Sequence, residues 1–417
     1  VSSFYCVMRC GDTDWNIGPA VVRKKDRTMK QAIVNGRIIG PATAGRGYVE
    51  WDGGVITAVG EGDYQGDAGQ ITDAGGDWVS PGFIDIHTHG AGGHDFMDCT
   101  VEAYLGAAEM SARHGATTIF PTTLASTNEN LFETFEVFRR ALPLNTKGAN
   151  MPGLHLEGPY FAYNQRGAQD PRYLRDPRPE EYDAILAASD DIRRMSLAPE
   201  LDGALELGRV LRAKGILASI AHSDALFEEA VEAFRNGYTH VTHLYSCTSS
   251  VVRRNAFRYA GIVEAAYWLD DMTVEIITDG VHLPESLLRL VYKLKGADRT
   301  VLITDSMRAA GMSEGRYVLG ARNSGMEVVV EDGVAKLADR SAFAGSVATA
   351  DRCVRTMHRL AEVPVPEAVK MMTATPARVM RIDDRKGSLE AGKDADILIF
   401  DDNIGIQRVV IAGETRF

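Results

Sequence analysis

The sequence predicts an α/β protein, a (β/α)8 barrel of the TIM type with a small β-sandwich domain formed by both chain ends. Three observations predict this architecture. The middle of the chain alternates strand-like and helix-like segments, both ends consist of short β-type runs, and polar side chains recur where the central strands end. These features favour a barrel that collects its chemistry at one rim over a doubly wound open sheet, which is the competing architecture.

The barrel is expected over residues 81–384, where strand-like runs alternate with helix-like stretches. In chain order the runs are FIDIH, TTIFPTT, GLHLEG, IRRMSLAPE, LASIAHS, HVTHLYS, VEIITDG and TVLITDS. Most of them are followed by a stretch with helical periodicity, as βα units require. The number of runs and the length of the segment match a complete (β/α)8 barrel.

Both chain ends, residues 29–80 and 385–417, are expected to form the small β-sandwich. Asn35-Gly36 and Gly53-Gly54 are dipeptides typical of hairpin turns between short β-type runs. The last segment, from ADILIFDDN to IQRVVIAGETRF, has the same character. Residues 1–28 lack the apolar segment of a signal peptide, and Met29 resembles a natural start. We therefore expect residues 1–28 to be a non-native or disordered extension.

The composition is that of a globular protein and argues against several function classes. The 417 residues include 45 Lys and Arg against 57 Asp and Glu, a formal net charge of −12. A net-acidic chain is unsuited to non-specific nucleic-acid binding, and no apolar run is long enough to span a membrane. The 5 cysteines, an odd number spread over the chain, do not make a disulfide framework. We expect a cytoplasmic protein that binds neither nucleic acid nor membrane.

Polar side chains follow most of the predicted strands. They are His87 and His89 at the first strand, Glu157 at the third, His222 at the fifth, His243 at the sixth, Asp279 and His282 at the seventh and Asp305 at the eighth. Alternation along a strand places His87 and His89 on the same side, toward the barrel axis. Converging imidazoles and a carboxylate predict a divalent metal site, with Zn²⁺ the first choice and Fe²⁺, Co²⁺ or Mn²⁺ as alternatives. Asp305 is the candidate base that accepts a proton from water.

Several motifs resemble those of a known enzyme family. PGFIDIHTHGAGGHDF is similar to the opening metal motif of the amidohydrolase superfamily. More narrowly, HLEGPY with a following RGAQ, AHSDA, THLYS, TDGVHLP, LITDSMRAAG and GSLEAGKDADILIFD resemble the N-acetylglucosamine-6-phosphate deacetylases in order and spacing. The resemblance covers almost the whole chain from Met29 onward. It implies hydrolysis of N-acetyl-D-glucosamine 6-phosphate to D-glucosamine 6-phosphate and acetate.

The same resemblance implies which residues hold the metal. Glu157, His222 and His243 would hold a principal ion, and His87 with His89 would add a second position. One or two ions are therefore expected.

The resemblance also implies the catalytic and substrate-binding residues. Asp305 would activate water and then protonate the leaving amine, while His282 would stabilise the substrate carbonyl or orient a sugar hydroxyl. The implied substrate-binding residues are Ala168, Gln169, Ser246, Cys247, Arg254, His282, Phe343, Ala344 and Gly345.

Three departures from the family pattern lie at or beside these positions. Ser246-Cys247 stand where the family usually has Asn-Ala, and Gln169 stands where it usually has His. The segment around Arg254 lacks the usual Arg-Glu-Pro-Gly, although Arg254 itself keeps a cation that can bind a phosphate. These departures leave open a galactosamine epimer, an unphosphorylated sugar, or another N-acyl or cyclic amide as substrate.

Two further alternatives concern the reaction, and the resemblance also bears on the assembly. Hydrolases of cyclic amides typically carry a carboxylated Lys on the fourth strand, whereas Glu157 of the third strand stands in its place here. A non-catalytic metal-binding barrel is the other alternative, and Asp305 argues against it because a purely structural metal site needs no base. Members of the family are commonly dimers, so a homodimer is expected.

Overall fold

The computed structural model describes residues 29–40 and 45–417. The extension predicted over residues 1–28, with Cys6 and Cys10, lies outside the described residues.

The first half of the chain contributes strands to both the predicted barrel and the end domain. These strands are β1 (Gln31–Ile38), β2 (Arg46–Asp52), β3 (Val55–Glu61), β4 (Gln70–Asp73), β5 (Trp78–Pro81), β6 (Phe83–Thr88), β7 (Gly90–Ala91), β8 (His94–Asp95), β9 (Ala116–Pro121), β10 (Leu154–Glu157) and β11 (Ile192–Leu197). The later strands are β12 (Leu217–Ile220), β13 (Tyr238–Val241), β14 (Val252–Arg254), β15 (Phe257–Tyr259), β16 (Thr273–Ile277), β17 (Thr300–Ile303), β18 (Gly315–Leu319), β19 (Met326–Glu331), β20 (Val334–Leu337), β21 (Ile397–Phe400), β22 (Ile406–Ile411) and β23 (Glu414–Thr415).

Helices follow or separate the central strands. They are α1 (Val101–Arg113), α2 (Asn128–Ala141), α3 (Pro179–Ala188), α4 (Ala204–Ala213), α5 (Phe227–Arg235), α6 (Ile262–Trp268), α7 (Glu285–Arg299), α8 (Ala350–Arg359), α9 (Val365–Lys370) and α10 (Ala374–Val379). None of the helices in residues 29–40 and 45–417 has the length and apolar character needed to cross a membrane.

The central strands form the TIM-type barrel that the sequence predicts. β10, β11, β12, β13, β16 and β17 make one sheet of parallel neighbours in that order, and β6 pairs in parallel with β9. Single parallel bridges join these two groups, from Thr122 to His155 and from Thr88 to Ser306. Because every strand runs in the same direction, the carboxyl ends gather at one rim, where barrel enzymes place their chemistry.

The barrel strands form because their apolar runs are buried on both faces. Every residue of β6, β9, β10 and β17 is buried, as expected for parallel strands covered by helices. The helices cover them with apolar stripes. In α2 the N-cap Thr127 accepts a hydrogen bond from the Asn130 amide, and Leu131, Phe135 and Phe138 recur on one buried face.

The two chain ends meet in one eight-stranded sheet with the order β23-β22-β21-β5-β1-β2-β3, and β4 pairs with β1. Residues from both ends, including Ile33, Val49, Ile397 and Val410, share a buried apolar core of this sheet. Trp51 donates its indole N–H to the Gly413 carbonyl at 2.9 Å, so the ends are also joined by a buried hydrogen bond.

An insertion that the sequence did not predict follows the last barrel strand. β18, β19 and β20 form a three-stranded antiparallel sheet between β17 and α8. Arg308 ties it to the barrel, because this buried guanidinium donates to both Asp98 carboxylate oxygens at 2.9 and 3.0 Å and to the Val318 carbonyl at 2.5 Å. The insertion thereby brings Leu319 to the carboxyl rim, where it lines a cavity.

Candidate active site

Six of the predicted site residues meet around the carboxylate of Glu157 at the end of β10. Oε1 of Glu157 lies 3.1 Å from Nε2 of His243 and 3.3 Å from Nε2 of His222. On the other side it lies 3.4 Å from Nε2 of His87, while Oε2 lies 3.4 Å from Nε2 of His89. Oδ1 of Asp305 lies 3.2 Å from Nε2 of His89. All six side chains are buried.

Three residues of this cluster have a backbone conformation that is uncommon for non-glycine residues. His222, His243 and Asp305 have φ values of 45°, 29° and 45°, and each lies two residues after the end of its strand. Positive φ at a non-glycine residue is strained and is found preferentially at functional sites. The turn directs each side chain from the strand end toward the Glu157 carboxylate.

Main-chain carbonyls hold the Nδ1 atoms of His222 and His243, on the side of each ring away from Glu157. Nδ1 of His222 donates to the carbonyl of Gln165 at 2.7 Å, and Nδ1 of His243 donates to the carbonyl of Ser246 at 3.0 Å. A carbonyl oxygen only accepts, so Nδ1 carries a ring proton in both residues, and Nε2, which faces Glu157, is the nitrogen left to bind a metal ion. This is the tautomer that a metal-binding histidine requires.

His87 is held instead by a buried carboxylate that our sequence analysis missed. Nδ1 of His87 lies 2.8 Å from Oε1 of Glu275, whose other oxygen accepts from Arg194 at 2.6 Å. Both partners are fully buried inside the barrel. The available signal was a charged residue in the middle of an apolar strand, in VEIITDG and in IRRMSLAPE, where charge is rarely buried without a partner.

The electrostatics of the cluster favour cations. Burial opposes protonation of His87, but the carboxylates of Asp305, Glu157 and Glu275 outweigh it and raise its pKa to about 9. For His89 the same competition, with Asp305 and Glu157, raises the pKa to about 10. Burial likewise opposes ionisation of Glu157, yet the surrounding histidines hold its pKa well below the usual range. A region that attracts protons this strongly also attracts a metal cation, which displaces them.

The donor atoms fit a metal site. Two triads, His87 with His89 and Glu157, and Glu157 with His222 and His243, each place three ligand atoms within 4.8 Å of one another. Nε2 of His87 is buried without a hydrogen-bond partner, which is uncommon for a buried polar atom unless an ion or water satisfies it. Imidazole nitrogens and carboxylate oxygens are ligands that Zn²⁺ and its first-row neighbours accept.

Asp305 is suited to accept a proton. Burial raises the pKa of its carboxyl, but His87 and His89 more than compensate and hold it below the ordinary value. The carboxylate is therefore ionised at neutral pH. It also lines the cavity that opens above the cluster.

His282 is oriented by Asp279, the acid that precedes it by three residues. Nδ1 of His282 donates to Oδ2 of Asp279 at 2.7 Å, and the amides of Val281 and His282 both donate to Oδ1 at 2.8 Å. Burial opposes ionisation of Asp279, but His282 and these amides lower its pKa. The His282 ring packs against Phe343 with a centroid distance of 4.6 Å, so its position at the cavity wall is well defined.

A cavity of about 290 Å³ lies directly above the cluster. Seven of the predicted substrate-binding residues line it, namely Ala168, Gln169, Ser246, Cys247, His282, Phe343 and Gly345. The other two do not. Ala344 is fully buried, and Arg254 is exposed on the hairpin of β14 and β15, with its guanidinium carbon 5.9 Å from the ring centre of Tyr259.

Gln169 supports the cluster through its side-chain amide. Its Nε2 donates to Oε2 of Glu157 at 2.7 Å, and its Oε1 accepts from the Ala125 amide at 2.8 Å. The side chain is buried. Gln169 thus fixes the orientation of the Glu157 carboxylate, and one amide hydrogen remains for the cavity.

Comparison with known proteins gives the family. The model of a family described as the amidohydrolase family matches residues 78–416. The chain belongs to the amidohydrolase family. As an amidohydrolase it is a metal-dependent hydrolase, in agreement with the histidine and carboxylate cluster.

Three individual proteins illustrate the similarity. The N-acetylglucosamine-6-phosphate deacetylase of Lysinibacillus sphaericus is 34% identical over 346 residues, covering 82% of this chain and 86% of the relative. The N-acetylgalactosamine-6-phosphate deacetylase of Escherichia coli O157:H7 is 32% identical, covering 82% and 89%. A solved structure of a mutant N-acetyl-D-glucosamine-6-phosphate deacetylase from Mycobacterium smegmatis, in complex with N-acetyl-D-glucosamine-6-phosphate, superimposes with a TM-score of 0.85 at 30% identity, covering 94% of this chain and 99% of that one.

Proposed function

We propose that this amidohydrolase removes the acetyl group of N-acetyl-D-glucosamine 6-phosphate, releasing D-glucosamine 6-phosphate and acetate. One observation carries the proposal: the ionised carboxylate of Asp305 lies within 3.4 Å of His87 and His89 and lines the cavity above them. These two histidines belong to the metal-type cluster, the group of candidate metal ligands Glu157, His87, His89, His222 and His243. Amide hydrolysis needs a nucleophile, a proton shuttle and a group that stabilises the oxyanion. The similar deacetylases support the choice of substrate.

The metal is held by the strand-end cluster in this proposal. Glu157, His222 and His243 would hold a principal ion, and His87 and His89, together with Glu157, would hold a second. Zn²⁺ is the proposed metal, with Fe²⁺, Co²⁺ and Mn²⁺ as alternatives that the same ligands accept. When bound, the metal supplies Lewis-acid polarisation of the amide carbonyl and makes water a better nucleophile.

Asp305 moves the proton. Its carboxylate accepts a proton from the water that attacks the acetyl carbon, so that a C–O bond forms. The protonated carboxyl then donates the same proton to the sugar nitrogen as the C–N bond breaks. The second proton of the water, which is left on the new carboxyl group, passes to the amine, so that acetate and the protonated amine leave and Asp305 returns to its ionised form.

His282 orients the substrate from the cavity wall. Because its Nδ1 proton is donated to Asp279, the neutral ring offers Nε2 as an acceptor for a sugar hydroxyl. The protonated ring would instead donate to the carbonyl oxygen of the acetyl group. Both roles place His282 against the substrate.

A phosphate is best bound by a cation, and the described part of one chain places none at the cavity. None of the cavity-lining residues within the described chain is Lys or Arg. We propose that the protein is a homodimer in which the exposed hairpin of one protomer brings Arg254 to the cavity of its partner. Ala168, Ser246, Cys247, Phe343 and Gly345 then contact the sugar, and Ala344 supports that loop from below.

The domain arrangement belongs to the same proposal. Residues 81–384 form the catalytic barrel, and residues 29–80 and 385–417 fold on themselves as a β-sandwich around the core that both ends share.

Acetate release from N-acetylglucosamine 6-phosphate, N-acetylgalactosamine 6-phosphate and N-acetylglucosamine tests the proposal on Zn²⁺-loaded protein. We expect the first sugar to have the highest kcat/KM and the unphosphorylated sugar to be at least ~10-fold poorer, since a charge-assisted hydrogen bond to phosphate contributes about 1.5–3 kcal/mol. Preference for the galactosamine epimer would favour the second candidate, which the Escherichia coli relative suggests. No acetate from any of the three would contradict the proposal.

A further inference from the structure

The carboxylate of Glu275 lies in the barrel interior below the metal-type cluster, and all of its hydrogen-bonding positions are used. Oε1 lies 2.8 Å from Nδ1 of His87 and accepts from the His243 amide at 3.3 Å. Oε2 accepts from Arg194 at 2.6 Å and lies 3.3 Å from Nε2 of His240. The side chain is fully buried. The carboxylate is therefore held in one orientation from several directions.

Arg194 is equally constrained. Its Nη2 donates to Thr242 Oγ1 at 2.8 Å, its Nε donates to Ser219 Oγ at 3.1 Å, and its Nη1 reaches both Glu275 and the Ile86 carbonyl. A buried ion pair of this kind is weak evidence for stability, because the desolvation of both charges offsets their attraction. Its contact with a candidate metal ligand points to a role in the site instead.

The contact with His87 determines what that ring can bind. A carboxylate oxygen accepts, so Nδ1 of His87 donates to Glu275, and Nε2, which faces Glu157 and Asp305, is the ring nitrogen left to bind a metal ion. That Nε2 has no hydrogen-bond partner. Nδ1 of His222 and Nδ1 of His243 are held instead by main-chain carbonyls. A side-chain substitution does not remove a main-chain carbonyl. Of these three histidines, His87 is therefore the one whose Nδ1 contact depends on a replaceable side chain.

We propose that Glu275, held by Arg194, is the positioning residue that makes His87 a metal ligand and so sets the number of ions bound per chain at two. This rests on the proposed function only in so far as the cluster is a metal site. Loss of Glu275 removes the 3.3 Å contact with the His243 amide as well, but the His243 ring keeps its hydrogen bond to the Ser246 carbonyl. We therefore expect the position at Glu157, His222 and His243 to be retained and the position at His87 and His89 to be weakened.

Zn²⁺ stoichiometry and affinity in variants of the full chain test this, by metal analysis and calorimetric titration without substrate. Glu275→Leu combined with Arg194→Met removes both charges together, so that no unpaired buried charge remains to unfold the barrel. We expect one Zn²⁺ to bind as in the parent and the other about 10–100-fold more weakly, the usual cost of losing the partner of a metal-binding histidine. Glu275→Gln combined with Arg194→Met returns an oxygen acceptor to His87 and should recover most of that loss.

Two further variants separate positioning from a general structural effect. His240→Asn removes the 3.3 Å neighbour on the far side of Glu275 but leaves the His87 contact, so it should bind two ions like the parent. His87→Asn should lose the same ion as the Glu275 variant, and combining the two should add little. A parent chain that binds a single Zn²⁺, or a Glu275→Leu, Arg194→Met variant that keeps both ions at parent affinity, would overturn the proposal.

The outcome is independent of the proposed reaction. A chain that binds two ions and loses one in the Glu275 variant, yet releases no acetate, would refute the deacetylase and leave the positioning role intact.

Discussion

The two halves of the metal-type cluster share the Glu157 carboxylate but are supported in different ways. His222 and His243 follow strained turns and rest on the carbonyls of Gln165 and Ser246. His87 lies within β6 and rests on the buried side chain of Glu275. Support by the main chain survives most substitutions, whereas support by a side chain is lost with one. The difference teaches that a site with two halves can keep one and lose the other through a residue that touches neither substrate nor solvent.

Removing the shared carboxylate should have the largest effect because it disrupts both halves. Glu157→Gln keeps the shape of the side chain but loses its charge. We expect kcat/KM to fall by about three orders of magnitude or more, since metal chemistry supplies several kcal/mol of transition-state stabilisation. Metal analysis should show fewer ions per chain than in the parent. Full metal content together with activity within tenfold of the parent would refute the shared role.

Asp305 separates metal binding from proton transfer. Asp305→Asn should keep the metal content of the parent while kcat falls about 10²–10⁴-fold, the usual contribution of a positioned acid or base. Steady-state kinetics and metal analysis on the same preparation make the comparison. If metal and turnover were lost in proportion, Asp305 would be a ligand rather than the base.

A substitution at Gln169 tests how far the Glu157 carboxylate depends on the hydrogen bond from the Gln169 amide. Gln169→Leu removes the 2.7 Å hydrogen bond to Oε2 and should lower kcat/KM about 10-fold, the low end for a hydrogen bond to a charged group. Gln165→Leu is the matched control, because its side chain contacts Asp224 while its main-chain carbonyl keeps holding His222. The control should stay within about twofold of the parent. Equal losses in both variants would contradict a specific role for Gln169.

A carboxylate and histidine pair outside the site gives the smallest effect on function. Asp351 contacts His114 at 3.1 Å, and although burial opposes ionisation, His114, Thr349 and Arg355 lower its pKa to about 2. A lowered pKa stabilises the fold above the ordinary value of 3.8, and this stabilisation is lost as the pH falls through about 2.

Asp351→Asn should therefore reduce the free energy of unfolding by about 2 kcal/mol at pH 7. Its metal content should be unchanged. Urea unfolding at pH 7 and at pH 3 should show the difference from the parent shrinking at the lower pH. An increasing difference would mean that the sign of the shift is wrong.

The sequence predicted the residues of the cluster better than the side chains that support it. Polar residues at strand ends indicated the rim cluster, because parallel strands gather their carboxyl ends and because alternation places His87 and His89 on one side. The sequence analysis did not identify Glu275 and Arg194. Their pairing joins strands that are far apart in the chain, and neither residue belongs to a strand-end pattern. Pairing across a barrel interior depends on register, which periodicity along one strand does not contain.

Two other features depended on tertiary packing in the same way. The insertion of β18, β19 and β20 consists of ordinary hairpin sequence, and its attachment through Arg308, together with the bond from the Gly320 amide to Asp95, places Leu319 at the cavity. Gln169 lines the cavity, where the sequence analysis expects it to bind substrate, and its amide also contacts Glu157 and Ala125 through packing that the RGAQ motif does not reveal.

Metal removal tests the central claim most directly. The initial rate of acetate release from N-acetylglucosamine 6-phosphate is measured on the parent chain, on the chelator-stripped chain, and after Zn²⁺ is returned in steps to two ions per chain. The account predicts no release above background from the stripped chain and recovery of the parent rate as Zn²⁺ returns. A stripped chain that releases acetate at the parent rate would contradict it.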